Sequence, residues 1–180
     1  MKIIKEKLKD NFLLFFFLIT ILFFIFTLNT AGQSDRGVET FSWLPYDQAL
    51  AKSKIENIPT LIYFYAENCS WCRKLENETF TNEQVYQIMK NDFSLARVNS
   101  SSDSLLKNNG RSMTERQLSE QIYQVRGNPT VWFLDSKEER IAPLPGFAPA
   151  EDFIHILTYI KENHYEKYTF PEYMENITNK

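Results

Sequence analysis

The sequence predicts an α/β fold: a central mixed sheet of about four strands flanked by helices, preceded by an N-terminal hydrophobic helix. Three observations lead to this prediction. The chain begins with a strongly apolar run, its middle part alternates strand-like and helix-like segments, and two strand-like segments follow each other near the C-terminus. Alternation implies parallel strands joined by crossover helices, whereas adjacent strands imply an antiparallel hairpin.

Residues 1–32 have the composition of a signal peptide or a membrane anchor. Lysines come first, and the 17 residues from 12 to 28 are then apolar except for two threonines. A helix of that length spans about 25 Å, slightly less than a hydrocarbon core of about 30 Å. The preceding lysines predict a cytosolic N-terminus and an exported domain. Small residues at 30–32 permit cleavage, so a released form and an anchored form both stay open. We expect the segment to contact the membrane and the domain to be periplasmic or otherwise extracytoplasmic.

The rest of the chain is predicted to contain one folded domain. Residues 33–40 are polar and are interpreted as a linker, residues 41–163 as the domain and residues 164–180 as a C-terminal tail. Residues 1–32 hold four of the 20 basic and two of the 23 acidic side chains, which leaves the remainder with a net charge of −5. A phosphate-binding surface needs an excess of basic residues, so nucleic acid is not an expected partner.

Local patterns predict the elements of the domain in order. Runs rich in β-branched and aromatic residues predict strands at 60–65, 93–99, 131–134 and 140–143. Apolar positions at helical spacing predict helices at 46–54, 81–92, 114–124 and 149–160, with a short one after Pro171. Thr81 and Thr114, each followed three residues later by Gln, are predicted to be capping boxes. Residues 100–111 are interpreted as a polar loop.

The motif Cys69-Ser70-Trp71-Cys72 follows the predicted buried strand directly and contains both cysteines of the chain. Two cysteines in one motif exclude a disulfide-stapled scaffold. A thiol at a helix N-terminus is favoured as thiolate, and a second thiol one turn further along is shielded. The spacing therefore predicts disulfide exchange, in which Cys69 attacks a substrate disulfide and Cys72 resolves the mixed disulfide.

Other interpretations of the two cysteines have less support in the sequence. A zinc site would need two more ligands, and only His155 and His164 are available, both in the C-terminal helical region. A copper chaperone would need a methionine-rich motif or a nearby histidine. A passive disulfide closing so short a loop would constrain the unfolded chain little. We therefore expect no metal and no cofactor.

The residues around these motifs resemble the thioredoxin superfamily. The resemblance is carried by Phe64–Lys74 around the cysteines, by Gly127-Asn128-Pro129-Thr130 and by the strand Val131–Asp135 that follows, and it extends over about residues 41–159. Within the superfamily, Lys74-Leu75-Glu76 and Thr79-Phe80 are similar to the C-terminal domain of the disulfide reductase DsbD. The polar insert, Pro145-Gly146-Phe147 and the aromatic tail are similar to SoxW-type periplasmic thioredoxins.

This resemblance implies a thioredoxin-like fold and a set of functional residues. Cys69 is implied as the nucleophile, Cys72 as the resolving thiol and Pro129 as a cis residue that faces them. Asn128, next to that proline, and Trp71 are candidate substrate-binding residues, with ordinary packing as the alternative for Trp71.

One position departs from the superfamily pattern. Many thioredoxins carry a buried Asp six residues before the first cysteine, where it accepts the proton of the resolving thiol, and this chain has Tyr63 there. A phenol with a pKa near 10 is a poor base at neutral pH. Either water accepts the proton, or Glu76, one helical turn after Cys72, does so. The alternative for Glu76 is a solvated helix residue.

Together these observations predict an exported thiol:disulfide oxidoreductase that reduces disulfides of exported proteins through Cys69 and Cys72. Its partners would be disulfide-bearing exported proteins and a membrane electron donor. A thiol oxidant or a disulfide isomerase is the alternative within redox chemistry, because the direction depends on the relative stability of dithiol and disulfide. A redox-silent peptide-binding module of the same fold is the alternative from another class.

Overall fold

The computed structural model describes residues 41–179. The strands are β1 (Thr60–Tyr65), β2 (Ser94–Asn99), β3 (Leu105–Asn108), β4 (Arg111–Thr114), β5 (Thr130–Leu134) and β6 (Arg140–Pro145). The helices are α1 (Tyr46–Glu56), α2 (Ser70–Lys74), α3 (Glu83–Asp92), α4 (Glu115–Gln117), α5 (Ala150–Lys161) and α6 (Phe170–Thr178). Helix α2 continues as a π-helical turn over Leu75–Thr79, and α4 does so over Leu118–Ile122.

The main sheet has four strands in the order β2-β1-β5-β6. Strand β1 pairs in parallel with β2 and antiparallel with β5, which in turn pairs antiparallel with β6. This confirms the predicted mixed sheet of four strands. The predicted N-terminal hydrophobic helix lies outside the described residues. No helix within residues 41–179 has both the length and the apolar character needed to span a membrane.

Strand β1 is central because both of its faces are apolar. Alternate side chains of a strand point to opposite faces. Leu61 and Tyr63 pack in a core with residues of α3 and α5, while Ile62 and Phe64 pack in a second core with residues of α1. Helices therefore cover both faces of the sheet, as the sequence predicts.

Two of the local predictions are corrected by the structure. Helix α3 is capped by Asn82, whose Oδ1 accepts from the backbone N–H groups of Gln84 and Val85, so the predicted capping box at Thr81 is wrong. Residues 100–111 are not wholly loop, because β3 and β4 form a separate antiparallel hairpin. Its turn residues Asn109 and Gly110 have φ angles of 50° and 75°, as Asn-Gly adopts in a tight hairpin turn. The capping box at Thr114 is confirmed.

The last 16 described residues, 164–179, pack against helix α5. A short turn at His164–Glu166 leads to α6, which begins at Phe170, just before the proline where the sequence predicts a helix. The Tyr159 hydroxyl on α5 donates to the carbonyl of Tyr168 over 2.6 Å. Tyr173 on α6 is buried in the same core as the inward side chains of α5. The segment assigned to a tail thus contributes an aromatic side chain to the core.

Candidate redox site

The topology brings the two sequence motifs to one end of the sheet. Phe64 near the end of β1 pairs with Thr130 at the start of β5. In an antiparallel pair, the residues that follow one strand lie next to those that precede the other. The segment leading to Cys69 and the loop ending at Pro129 therefore share one edge of the domain.

Cys69 and Cys72 form a disulfide with a Cα–Cα distance of 5.2 Å. Cys69 is the N-cap residue of α2, and its Sγ accepts the backbone N–H of Cys72 at 3.0 Å. The first N–H groups of a helix have no partner within it, and donation to a sulfur favours thiolate over thiol. Cys69 is partly exposed, whereas Cys72 is only 2% exposed. The two sulfurs thus differ in access to a substrate.

The loop before β5 is fixed to its neighbours by hydrogen bonds. The Asn128–Pro129 peptide bond is cis, as the family resemblance implies. The Asn128 Oδ1 accepts from the Ser100 hydroxyl at 3.0 Å, and Ser100 follows β2 directly. The Pro129 carbonyl accepts from the N–H of Gly146 at 2.8 Å, just after β6. These bonds fix the Asn128 amide, and the predicted roles of Asn128 and Pro129 toward substrate stay predictions.

Glu76 lies in a polar network with Tyr63 and Arg97. Its Oε1 accepts the Tyr63 hydroxyl at 3.1 Å and the Arg97 guanidinium at 2.8 Å. Arg97 projects from β2 opposite Tyr63, and its guanidinium lies 3.8 Å from the centre of the Tyr65 ring. The Tyr63 hydroxyl is also 3.5 Å from the carbonyl oxygen of Cys72. The carboxylate is thus held by two donors, four residues after the resolving cysteine and in the π-helical turn that follows α2.

Tyr63 acts in this network as a donor. Burial, followed by the charge of Glu76 and the hydrogen bond to it, raises the pKa of the Tyr63 phenol above its ordinary value of 10. The phenol therefore stays protonated at neutral pH, and it cannot replace the carboxylate that many thioredoxins carry at this position. Within the network, Glu76 is the only side chain that can accept a proton.

Trp71 lies on the surface beside the disulfide and is 55% exposed. Its ring centre is 6.1 Å from that of Phe147. The Lys74 ammonium lies 5.2 Å from the Trp71 ring centre and 4.5 Å from that of Phe147. A cation near aromatic faces is attracted by their quadrupoles. Trp71 therefore packs on one side and presents a face to solvent on the other, and its predicted substrate contact stays a prediction.

The sequence does not identify Arg97, Phe147 or Ser100 as parts of the site. Arg97 leaves one signal, because it is the only charged side chain of β2 and lies between the apolar residues Ala96 and Val98. Phe147 is noted in the sequence only because Pro145-Gly146-Phe147 is similar to SoxW-type thioredoxins. Ser100 lies in a polar stretch without a distinctive pattern. The histidines considered for zinc lie elsewhere: His155 is on α5, and His164 stacks on Tyr173 with ring centres 4.8 Å apart.

The fold and the adjacent pair of cysteines define the class of thioredoxin-fold thiol:disulfide oxidoreductases. A family model described as a thioredoxin-like domain matches residues 46–161, and the chain belongs to that family.

Comparisons with individual proteins agree with this assignment. The chain is 30% identical over 121 residues to the thiol:disulfide interchange protein DsbD of Photorhabdus laumondii, a match over 66% of this chain and 19% of that protein. It is 33% identical over 57 residues to human spermatogenesis-associated protein 20, over 31% of this chain and 7% of that protein. The chain thus spans a minor part of both relatives. A thioredoxin-fold protein from Helicobacter pylori superposes with a TM-score of 0.60 at 23% identity, over 69% of this chain and 86% of that one.

Proposed function

We propose that the chain is an exported enzyme that reduces disulfides of exported proteins through Cys69 and Cys72. The observation that carries the proposal is the asymmetry of the two sulfurs. Cys69 is partly exposed and its Sγ accepts a helical N–H, while Cys72 is buried. Thiol–disulfide exchange through a mixed disulfide requires two groups: an accessible thiolate that attacks the client and a shielded thiol that resolves the intermediate.

In the proposed reaction the Cys69 thiolate attacks one sulfur of the client disulfide. The client S–S bond breaks, a mixed disulfide forms, and the first client thiolate leaves. Cys72 then loses its proton and attacks the Sγ of Cys69, which restores the Cys69–Cys72 bond and releases the second client thiolate. Two electrons pass from the enzyme to the client. A second dithiol of higher reducing power must return two electrons, and we propose that a membrane protein supplies them.

Two further points support the location and the thiol chemistry in this proposal. The composition of residues 1–32 is that of an export segment. The relative from Photorhabdus is named as a thiol:disulfide interchange protein, and its match covers 66% of this chain. An oxidant or an isomerase with the same cysteines would differ from a reductase in the stability of its dithiol form.

The experiment combines an insulin reduction assay with a measured reduction potential for the full-length chain. We expect the wild-type chain to accelerate insulin reduction by dithiothreitol, and Cys69→Ser to remove the acceleration. We expect a potential near that of thioredoxin, about −270 mV, rather than that of the oxidant DsbA, about −120 mV. A potential near the second value would make the chain an oxidant, and absence of any thiol-dependent activity would favour the redox-silent binding module.

A further inference from the structure

A groove of about 590 Å³ is lined by residues 123–130, by Trp132 of β5 and by residues of strand β6. Tyr123 and Trp132 supply aromatic walls, with ring centres 5.7 Å apart. Pro143 and Pro145 on β6 also line it. Asn128 and Pro129 of the redox site line one end of this groove, whereas Cys69 and Trp71 do not line it.

The charged side chains that line the groove have one sign. They are Arg126 and Arg140, both exposed, and no carboxylate is among the lining residues. Neither arginine forms an ion pair with any residue in the described part of the chain, 41–179. This is notable because residues 33–180 carry a net charge of −5. The groove is thus a local basic site on an acidic domain.

The guanidinium of Arg140 lies near both aromatic walls. Its guanidinium carbon lies 5.0 Å from the ring centre of Tyr123 and 5.8 Å from that of Trp132. A guanidinium placed near aromatic faces keeps the N–H groups at its edge available to a ligand. A planar guanidinium binds a carboxylate through two parallel hydrogen bonds. Glu138, whose negative charge contributes to raising the pKa of Tyr123, is not among the residues that line the groove.

The groove is continuous with the surface beside the disulfide. Gly146 lines the groove and donates its N–H to Pro129. The next residue, Phe147, packs against Trp71 in the cysteine motif. An extended polypeptide advances about 3.3 Å per residue. A client segment that reacts at Cys69 can therefore continue past Phe147 and Gly146 into the groove.

We propose that this groove binds an acidic segment of the client polypeptide that flanks its reactive cysteine. Arg126 and Arg140 bind the client's carboxylates, while Tyr123, Trp132 and the prolines contact its apolar atoms. The identification of the occupant as a redox client rests on the proposed function, but binding of the acidic segment requires no redox step.

The first experiment measures binding without redox chemistry. Cysteine-free peptides of ten residues, each with a central benzoylphenylalanine and flanking pairs of Glu, Gln or Lys, are cross-linked to the purified full-length chain. Exposed ion pairs contribute little each, so we expect the Glu peptide to cross-link about 3- to 10-fold more than the Gln peptide, and the Lys peptide least. The preference should shrink at high salt, because screening weakens exposed pairs. Cross-links should map to residues 123–146.

Variants test whether the two arginines cause the preference for the Glu peptide. The double variant Arg126→Gln/Arg140→Gln should lower cross-linking of the Glu peptide to that of the Gln peptide. The matched control Lys107→Gln/Arg111→Gln, in the β3–β4 hairpin, makes the same change in net charge and should retain the preference. Arg140→Lys, which keeps the charge and loses the planar stacking, separates charge from packing. Equal yields for the Glu and Lys peptides, cross-links elsewhere, or an unchanged preference in the double variant would each overturn the proposal.

A second assay separates this inference from the proposed function. Wild-type chain is given hydroxyethyl disulfide, which is uncharged, and disulfide-linked peptides with Glu or Lys flanks. We expect kcat/KM for the Glu substrate to exceed that for the Lys substrate about 3-fold or more. Failure to reduce hydroxyethyl disulfide would refute the proposed reductase activity. The cross-linking result would still test whether the groove binds acidic segments. Turnover of that compound with equal rates for the two peptides would refute the groove alone.

Discussion

Cys69 and Cys72 are separated by two residues, yet their surroundings differ in the way their proposed roles require. Cys69 caps a helix and is partly exposed, whereas Cys72 is inside the first turn and buried. A nucleophile must reach an external disulfide, while a resolving thiol needs to reach only its neighbour. The difference in exposure is consistent with the proposed order of attack, in which Cys69 acts first.

Replacement of each cysteine in turn should reveal the order of attack. Cys72→Ala leaves a nucleophile without a resolving thiol, so mixed disulfides with client proteins should accumulate. Cys69→Ala leaves only the buried thiol and should trap far fewer. Both variants are compared on non-reducing gels after thiol alkylation, with the double variant as the background. Equal trapping by the two single variants would contradict the proposed order.

Glu76 is the second residue with a proposed chemical role. The sequence suggests it from its spacing of four from Cys72, which places two side chains on one helical face. It does not reveal Arg97, because the contact depends on the register that sets Tyr63 of β1 opposite Arg97 of β2. Such pairings join residues far apart in the chain and have no local pattern. The structure adds that both donors meet at one oxygen, Oε1.

If Glu76 accepts the proton of Cys72, Glu76→Gln should slow resolution of the mixed disulfide by about 100-fold, the usual lower end of general-base assistance. Gln keeps an acceptor oxygen for Tyr63 and Arg97 but loses the basic carboxylate. The rate is measured by rapid mixing of reduced protein with a chromogenic disulfide, which separates attack by Cys69 from resolution by Cys72. Glu78→Gln, exposed in the same π-helical turn, is the matched control and should match wild type. A resolution rate unchanged by Glu76→Gln from pH 6 to pH 9 would leave water as the acceptor.

At the scale of elements, the sequence predicts those helices and strands whose formation depends on local composition. The run at β1 is β-branched and aromatic, and the apolar positions of α5 recur at helical spacing, so both elements are predicted. The hairpin β3–β4 is missed because its strands are short and largely polar, although Asn109-Gly110 is a strong turn signal. The π-helical turns after α2 and α4 are missed as well, since no residue pattern distinguishes them from an ordinary helix.

The sequence predicts a charged and aromatic tail at 164–180, with a short helix after Pro171. In the structure Tyr173 is 6% exposed, and its ring centre lies 5.3 Å from that of Tyr159. Truncation of a large buried aromatic side chain costs about 3–5 kcal/mol. Tyr173→Ala should therefore lower the free energy of unfolding by about 3 kcal/mol, measured by urea denaturation with the disulfide intact. Tyr168→Ala, at an exposed side chain nearby, should change it by less than about 0.5 kcal/mol. Similar small losses in both variants would mean that α6 does not contribute to the core.

At the scale of the whole molecule, function depends on how the sheet arranges distant segments. Pairing of β1 with β5 places the cysteine motif and the Asn128-Pro129 loop at one edge, although 56 residues separate Cys72 from Pro129. The sequence anticipates this arrangement only through family resemblance, because each strand alone is compatible with several pairings. The side-chain networks that follow from the pairing, such as Tyr63–Glu76–Arg97, lie beyond that resemblance. The proposed export, in contrast, rests on the composition of residues 1–32.

The last prediction concerns export. The apolar run at 12–28 follows a lysine-rich segment, and this order predicts transfer of the domain out of the cytosol. A reporter active only after export, fused after residue 40, should be active in cells. Leu18→Arg with Phe24→Arg should abolish the activity, because each arginine in an apolar segment costs about 2.5–3.5 kcal/mol on insertion. Lys5→Arg keeps the charge and serves as the control. Alkaline extraction then distinguishes the two forms, since an anchored fusion stays with the membrane and a cleaved one is released. Activity confined to a cytosolic reporter fused at the same point would refute export, and the thiol chemistry would then have to operate on cytosolic clients.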